Sequence, residues 1–149
     1  MNIQFIYSTG EVDTLREIMI TKICEAFSLE VKIPDQIQIE FKKLPKNVYA
    51  ETMLDWRFKN RIRMNYLLNH REVFAPVIHE LLHMNQTHTG KLQVLREGIY
   101  MWEGNIHNVR NLNSLPYKEY MKLPWEQDVA DRQHKLAEIV IQSVLNSQG

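Results

Sequence analysis

Two histidines and a glutamate are set into an apolar run, Val77-Ile78-His79-Glu80-Leu81-Leu82-His83-Met84, and only one kind of element serves all of these residues at once. At about 100° per residue, positions four apart on a helix return to nearly the same face. A helix here aims His79 and His83 the same way, while Val77, Ile78, Leu81, Leu82 and Met84 bury the rest of it. The two imidazoles can then reach one ion at about 2.0 to 2.1 Å, the length of a zinc–imidazole bond. Glu80 lies one step round the helix, beside such an ion, where a carboxylate can take a proton from metal-bound water whose pKa zinc lowers towards about 7. His79 and His83 are thus expected zinc ligands, and Glu80 the expected catalytic base.

The remaining composition narrows the setting. The 149 residues suit one domain, 1–149, which at this length buries roughly two thirds of the unfolded chain's surface. Lysine plus arginine, 18, equals aspartate plus glutamate, 18, so no global field draws in nucleic acid or anionic lipid, and any charge-based recognition must be local. Cys24 is the only cysteine, which excludes an intrachain disulfide and a multi-cysteine zinc site and fits a small core residue. The first residues carry no basic leader, and no stretch approaches about 18 apolar residues. The expectation is a cytoplasmic, soluble protein.

Periodicity orders the elements as an α+β fold. Leu15, Ile18, Met19, Ile23, Ala26 and Phe27 recur at helical spacing over residues 12–29. From 36 to 44 the chain alternates, with Ile37, Ile39 and Phe41 on one face and Gln38, Glu40 and Lys42 on the other. Strand-like runs at 48–54 and 61–68 flank Lys59-Asn60 and suggest a hairpin. Helix returns at 72–86, where Pro76 should either start or kink it and Asn69 with Glu72 offers an earlier capping pair. Residues 91–108, with a Gly104-Asn105 turn signal, suggest a second, smaller hairpin or an ordered loop, and a final helix runs from Pro124 to about residue 146.

Taken together, HELLHMNQ, the later Trp102-Glu103-Gly104 and LPWEQDVADRQ at the start of the last helix resemble the zincin metallopeptidases, and among them the small gluzincins. The resemblance spans about residues 37–133. In such proteins HExxH, often followed by glutamine three residues on, precedes a W-x-G turn and a Pro-x-Glu helix. The resemblance implies a zincin-like fold: N-terminal helix, small mixed sheet, the HExxH helix, an irregular insert, and a long C-terminal helix that brings a glutamate to the metal. It also implies Zn2+ as cofactor and a peptide or protein as substrate. The family helix commonly continues with glutamate and alanine, where this chain has Asp128 and Val129. The other zincin branch, HExxHxxGxxH, does not fit, because Gln86 and Thr89 occupy the glycine and third-histidine positions and His88 is one residue out of register.

A third ligand must come from His88, Glu97, Glu103, His107, Glu119, Glu126, Asp128 or Asp131. Glu126 leads, because it opens a proline-started helix, because Ala130 and Ala137 on its face leave room for close packing, and because it matches the family's Pro-x-Glu glutamate; Asp128 comes next. Gln86, seven residues beyond His79, can hydrogen-bond a ligand or serve as a plain helix-terminal residue. Tyr117, Tyr120 and His107 are open candidates for stabilising an oxyanion. Arg57, Lys59, Arg61 and Arg63 form a basic stretch, read as a solvated face, as a substrate contact along the strand that the resemblance makes the exposed edge over the cleft, or as a local nucleic-acid contact. Trp56, Trp102 and Trp125 suit core or cleft-wall positions. The expected activity is hydrolysis of a peptide bond. The alternative is a metal-binding interaction module of the same fold without turnover, against which Glu80 weighs; a nucleic-acid regulator lacks any recognisable reading motif.

Overall fold

The alternation at residues 36–42 produces strand β2 (Gln36–Lys42), which sends Ile37, Ile39 and Phe41 into the core. In the computed structural model, which describes residues 1–52, 60–109 and 112–146, β2 is flanked by β1 (Asn2–Tyr7) and β4 (Arg61–Asn65), with β3 (Ala50–Thr52) outside β4. The order is β1-β2-β4-β3; β1 and β4 run parallel to β2, and β3 runs antiparallel to β4 with Ala50 opposite Met64. The sheet is mixed, and β3 with β4 matches the expected pairing of 48–54 with 61–68. The basic residues Arg57 and Lys59, and Trp56, lie outside the described residues. β1 is an element that the sequence pattern did not assign. Its Ile3, Phe5 and Tyr7 pack on the same core.

Helix α1 (Thr14–Glu30) starts at Asp13, whose carboxylate accepts from Arg16 N at 3.1 Å. Its buried face is Ile20, Ile23, Cys24 and Phe27, while Leu15 and Ile18, expected on that face, are 61% and 47% exposed. The rotation has a cause in Arg16. This residue is buried, with its guanidinium 3.7 Å above the Phe41 ring and Nη1 donating to the carbonyls of Tyr66 and Leu68 at 2.9 and 2.8 Å. Cys24 is in the core as expected, and burial pushes its thiol up to about 12.

Helix α2 (Phe74–His88) begins after a separate turn in which Asn69 N donates to Glu72 Oε1. Pro76 therefore falls in the first helical turn, where a missing N–H costs nothing. After α2 the chain builds a three-stranded antiparallel meander of β5 (Leu92–Arg96), β6 (Ile99–Trp102) and β7 (Asn105–Asn108), one strand more than the expected small hairpin. Its second turn places Glu103 and Gly104 at φ +47° and +86°, a left-handed pair suited to a tight hairpin. Leu92, Tyr100 and Trp102 form a small core with Trp125. A 3-10 turn (Leu112–Ser114) and the short α3 (Tyr117–Tyr120) lead into α4 (Pro124–Asn146), which packs against α2 and α1. Among the described residues no helix is long and apolar enough to cross a membrane.

The sheet's other face is polar. Arg61, Arg63 and Asn65 share it, as the alternation predicts, but β4 has a neighbour on each side, so among the described residues the sheet ends on this side in β3 and not in the strand before α2. Glu40 accepts from Ser8 Oγ at 2.6 Å, Arg63 Nε at 3.1 Å and Arg61 Nη1 at 3.4 Å. Burial alone would raise its pKa; the Ser8 hydroxyl and the two guanidiniums outweigh that and hold it below the usual carboxylate value. A depressed folded-state pKa stabilises above the unfolded value of about 4.3 and loses that stabilisation as pH falls through the folded value. Glu40→Gln is accordingly expected to lose roughly 1–3 kcal/mol near neutral pH, with the gap to the parent closing in acid, as read by denaturant melts across pH.

Candidate metal centre

The helical period of α2 brings His79 and His83 together, their rings 5.0 Å apart at 75° to one another. The first turn of α4 supplies Glu126, which is 2% exposed. One ligand atom from each of His79, His83 and Glu126 lies within 4.8 Å of the others, the one such group of metal-binding side chains among the described residues. His83 Nε2 is 3.0 Å from Glu126 Oε1, and His79 Nε2 is 3.7 Å from Glu126 Oε2. These separations bracket the spacing of about 3.3 Å between ligand atoms around a tetrahedral zinc. Glu126 Oε2 is also buried without any hydrogen-bond partner, a position that a metal ion would satisfy.

The back of each imidazole is held by an amide. His79 Nδ1 meets Gln133 Oε1 and His83 Nδ1 meets Gln86 Oε1, both at 2.9 Å. An amide oxygen only accepts, so each Nδ1 carries the proton and each Nε2 is left to face Glu126 and an ion. Burial opposes a charge on His83, but its hydrogen bond to Glu126, that carboxylate's charge, Glu80 and Gln86 together lift it to about 9. Burial likewise opposes the charge on Glu126, and His83, Tyr120 and His79 more than compensate, holding its carboxyl below the usual range. The three residues fit a divalent cation, which would take the place of the proton on His83 Nε2: two imidazole nitrogens and one buried carboxylate.

Glu80 is 6% exposed, and its carboxylate accepts from Thr52 Oγ1 at 2.8 Å. The same hydroxyl also donates to the Glu80 carbonyl at 3.1 Å. A cleft of about 1010 Å³ opens over the centre, with His79, Glu80, His83 and Glu126 in its lining and Ala50, Glu51 and Thr52 of β3 in its wall. Tyr120 lines it too, with its hydroxyl 2.6 Å from Glu126 Oε1. Burial and the Glu126 charge raise the Tyr120 pKa, so it stays a phenol. Tyr117 lines the cleft but is 76% exposed, and the His107 ring stands at 89° to that of Trp125, with centroids 5.8 Å apart.

Not every expectation about the surroundings holds. Asp128, the second candidate ligand, points to Gln86, Lys91 and Arg132 and away from the cluster. His88 is exposed at the end of α2. Ala130 is exposed in the cleft wall, and its neighbour Val129, fully buried, joins the core with Leu81 and Leu82. Two site residues escaped sequence reasoning. Gln133 stands seven residues after Glu126, a helical repeat that could have flagged it. Thr52 carries no local signal, because only the placement of β3 against α2 brings it to Glu80.

No known protein family, curated protein or solved structure matches this chain. About one zinc per chain is expected in protein purified without chelator, and His79→Ala, His83→Ala and Glu126→Ala should each strip it. Elemental analysis decides: no metal in the parent, or full metal in any of the three variants, overturns the ligand set.

Proposed function

We propose that the protein is a zinc-dependent peptide-bond hydrolase with His79, His83 and Glu126 as ligands and Glu80 as the general base. The observation that carries this reading is the combination of two imidazoles with their Nδ1 sides blocked by glutamines and a buried carboxylate opposite, beside a second carboxylate held apart by Thr52. A structural metal site needs no such second carboxylate at the floor of an open cleft. When bound, zinc supplies Lewis-acid polarisation of a carbonyl and a water acidified towards pH 7.

The chain's own residues supply the rest. Glu80 accepts the proton of the attacking water as its oxygen bonds to the carbonyl carbon, then returns a proton to the leaving nitrogen as the C–N bond breaks. Thr52 keeps the Glu80 carboxylate aimed. Tyr120 is the one of the three oxyanion candidates that both lines the cleft and hydrogen-bonds the centre, and by turning its single O–H from Glu126 it can donate to a carbonyl oxygen that gains charge. A peptide substrate is favoured by β3, which ends the sheet order among the described residues and whose residues wall the cleft, so an extended chain can add along its outer edge.

A mixed peptide library incubated with the zinc-loaded protein tests the reading. Glu80→Gln should keep fold and zinc yet lose on the order of 10² to 10⁴-fold in cleavage. Thr52→Val, close in shape but without the hydroxyl, should lose on the order of ten- to a hundredfold in kcat. A parent that holds zinc and cleaves nothing would instead favour the metal-binding interaction module.

A further inference from the structure

Asp128 lies outside the ligand cluster, yet the hydrogen bonds around it determine how one ligand is presented. Gln86 is fully buried, and its amide makes three contacts. Its Nε2 donates to the Trp125 carbonyl at 2.8 Å and to Asp128 Oδ2 at 2.9 Å, while Oε1 faces His83 Nδ1 at 2.9 Å. Both partners of Nε2 are pure acceptors. Turning the amide over would set its oxygen against a carbonyl and a carboxylate, three acceptors facing one another in a buried site.

From this we infer that Asp128 is a positioning residue for the metal centre: acting through Gln86, it fixes the proton of His83 on Nδ1 and so reserves Nε2 for the ion. Asp128 is itself anchored, with Arg132 Nη2 donating to Oδ2 at 2.8 Å and Lys91 Nζ reaching Oδ1 at 3.4 Å. Arg132 Nη2 also donates to Asn85 Oδ1 at 3.1 Å, and Asn85 Nδ2 to the Lys32 carbonyl at 2.7 Å, so the anchor is tied to α2 and to the chain after α1. What matters at Oδ2 is an accepting oxygen at that point. Asparagine can place its carbonyl oxygen there and turn its amide nitrogen towards the more exposed Lys91 side.

The inference rests on the zinc reading for its consequence but not for its geometry, and two measurements separate the two. In metal-free protein labelled with ¹⁵N-histidine, the His83 Nδ1–H should be protected from solvent exchange in the parent and in Asp128→Asn, and unprotected in Asp128→Ala. In zinc competition against a chromophoric chelator, Asp128→Ala should bind about tenfold more weakly or worse, with Asp128→Asn close to the parent. Thermal melts of the metal-free forms report folding. A folded Asp128→Ala with a protected Nδ1–H and parental zinc affinity overturns the assignment. So does an Asp128→Asn that loses affinity tenfold, since charge and not the acceptor would then be responsible, and this arm decides even where the alanine variant melts early. A parent with a protected Nδ1–H and no zinc uptake sinks the metal reading and leaves the Gln86 orientation standing.

Discussion

A carboxylate that is 2% exposed is costly to ionise, and the packing of α4 on α2 hinges on how the charge of Glu126 is met. Its position in the first turn of α4 puts it where the helix dipole favours an anion. Tyr120 donates to one oxygen and the two imidazole edges approach from α2. Around that meeting point the helices close with Val129, Leu81 and Leu82 in one core and Trp125 in the other. The second sheet, α3 and the cleft are arranged about this contact because Trp125 and Glu126 are adjacent: one anchors the small core and the other the centre.

The two glutamines behind the imidazoles also decide the charge of the site. Carboxylates in their places would make the histidines more basic and add negative charge beside the ion. With amides, Glu126 is the only anion among the three proposed ligands, so a divalent cation bound there would retain a net charge of about +1. That residual charge is what a Lewis acid needs to act on a carbonyl oxygen, and the amides secure ring orientation without spending it.

What the sequence disclosed followed from how locally each feature is encoded. That His79 and His83 share a face was legible because one helical turn holds them with Glu80, and that Glu126 meets them was anticipated from its proline-opened helix and from the Pro-x-Glu resemblance. The alternating strand at 36–42 and the polar face of Arg61 and Arg63 were equally local. The buried face of α1 was misread because Leu15 and Ile18 fit the helical repeat by composition, whereas the core chose Arg16 and Ile20 through contacts with Phe41 and with the carbonyls of Tyr66 and Leu68, far along the chain. β1 and the edge role of β3 depend on strand order, which no window of sequence contains. Thr52 stayed hidden for the same reason, its partner Glu80 being brought to it only by tertiary packing.

Parallel strands are ordinarily covered on both faces, but α1, α2 and α4 all join the core on one face of the larger sheet. The opposite face is covered by its own side chains: Gln38 donates to Gln4 at 3.1 Å and accepts from Arg61 Nε at 3.0 Å, beside the Glu40 cluster. Strand register is therefore specified twice. A slip of one residue exchanges the faces, which would not only expose Ile37 and Ile39 but drive Glu40 and Arg61 beneath the helices, at several kcal/mol for each ion stripped of water. Mispaired strands are thus rejected by desolvation as well as by lost packing.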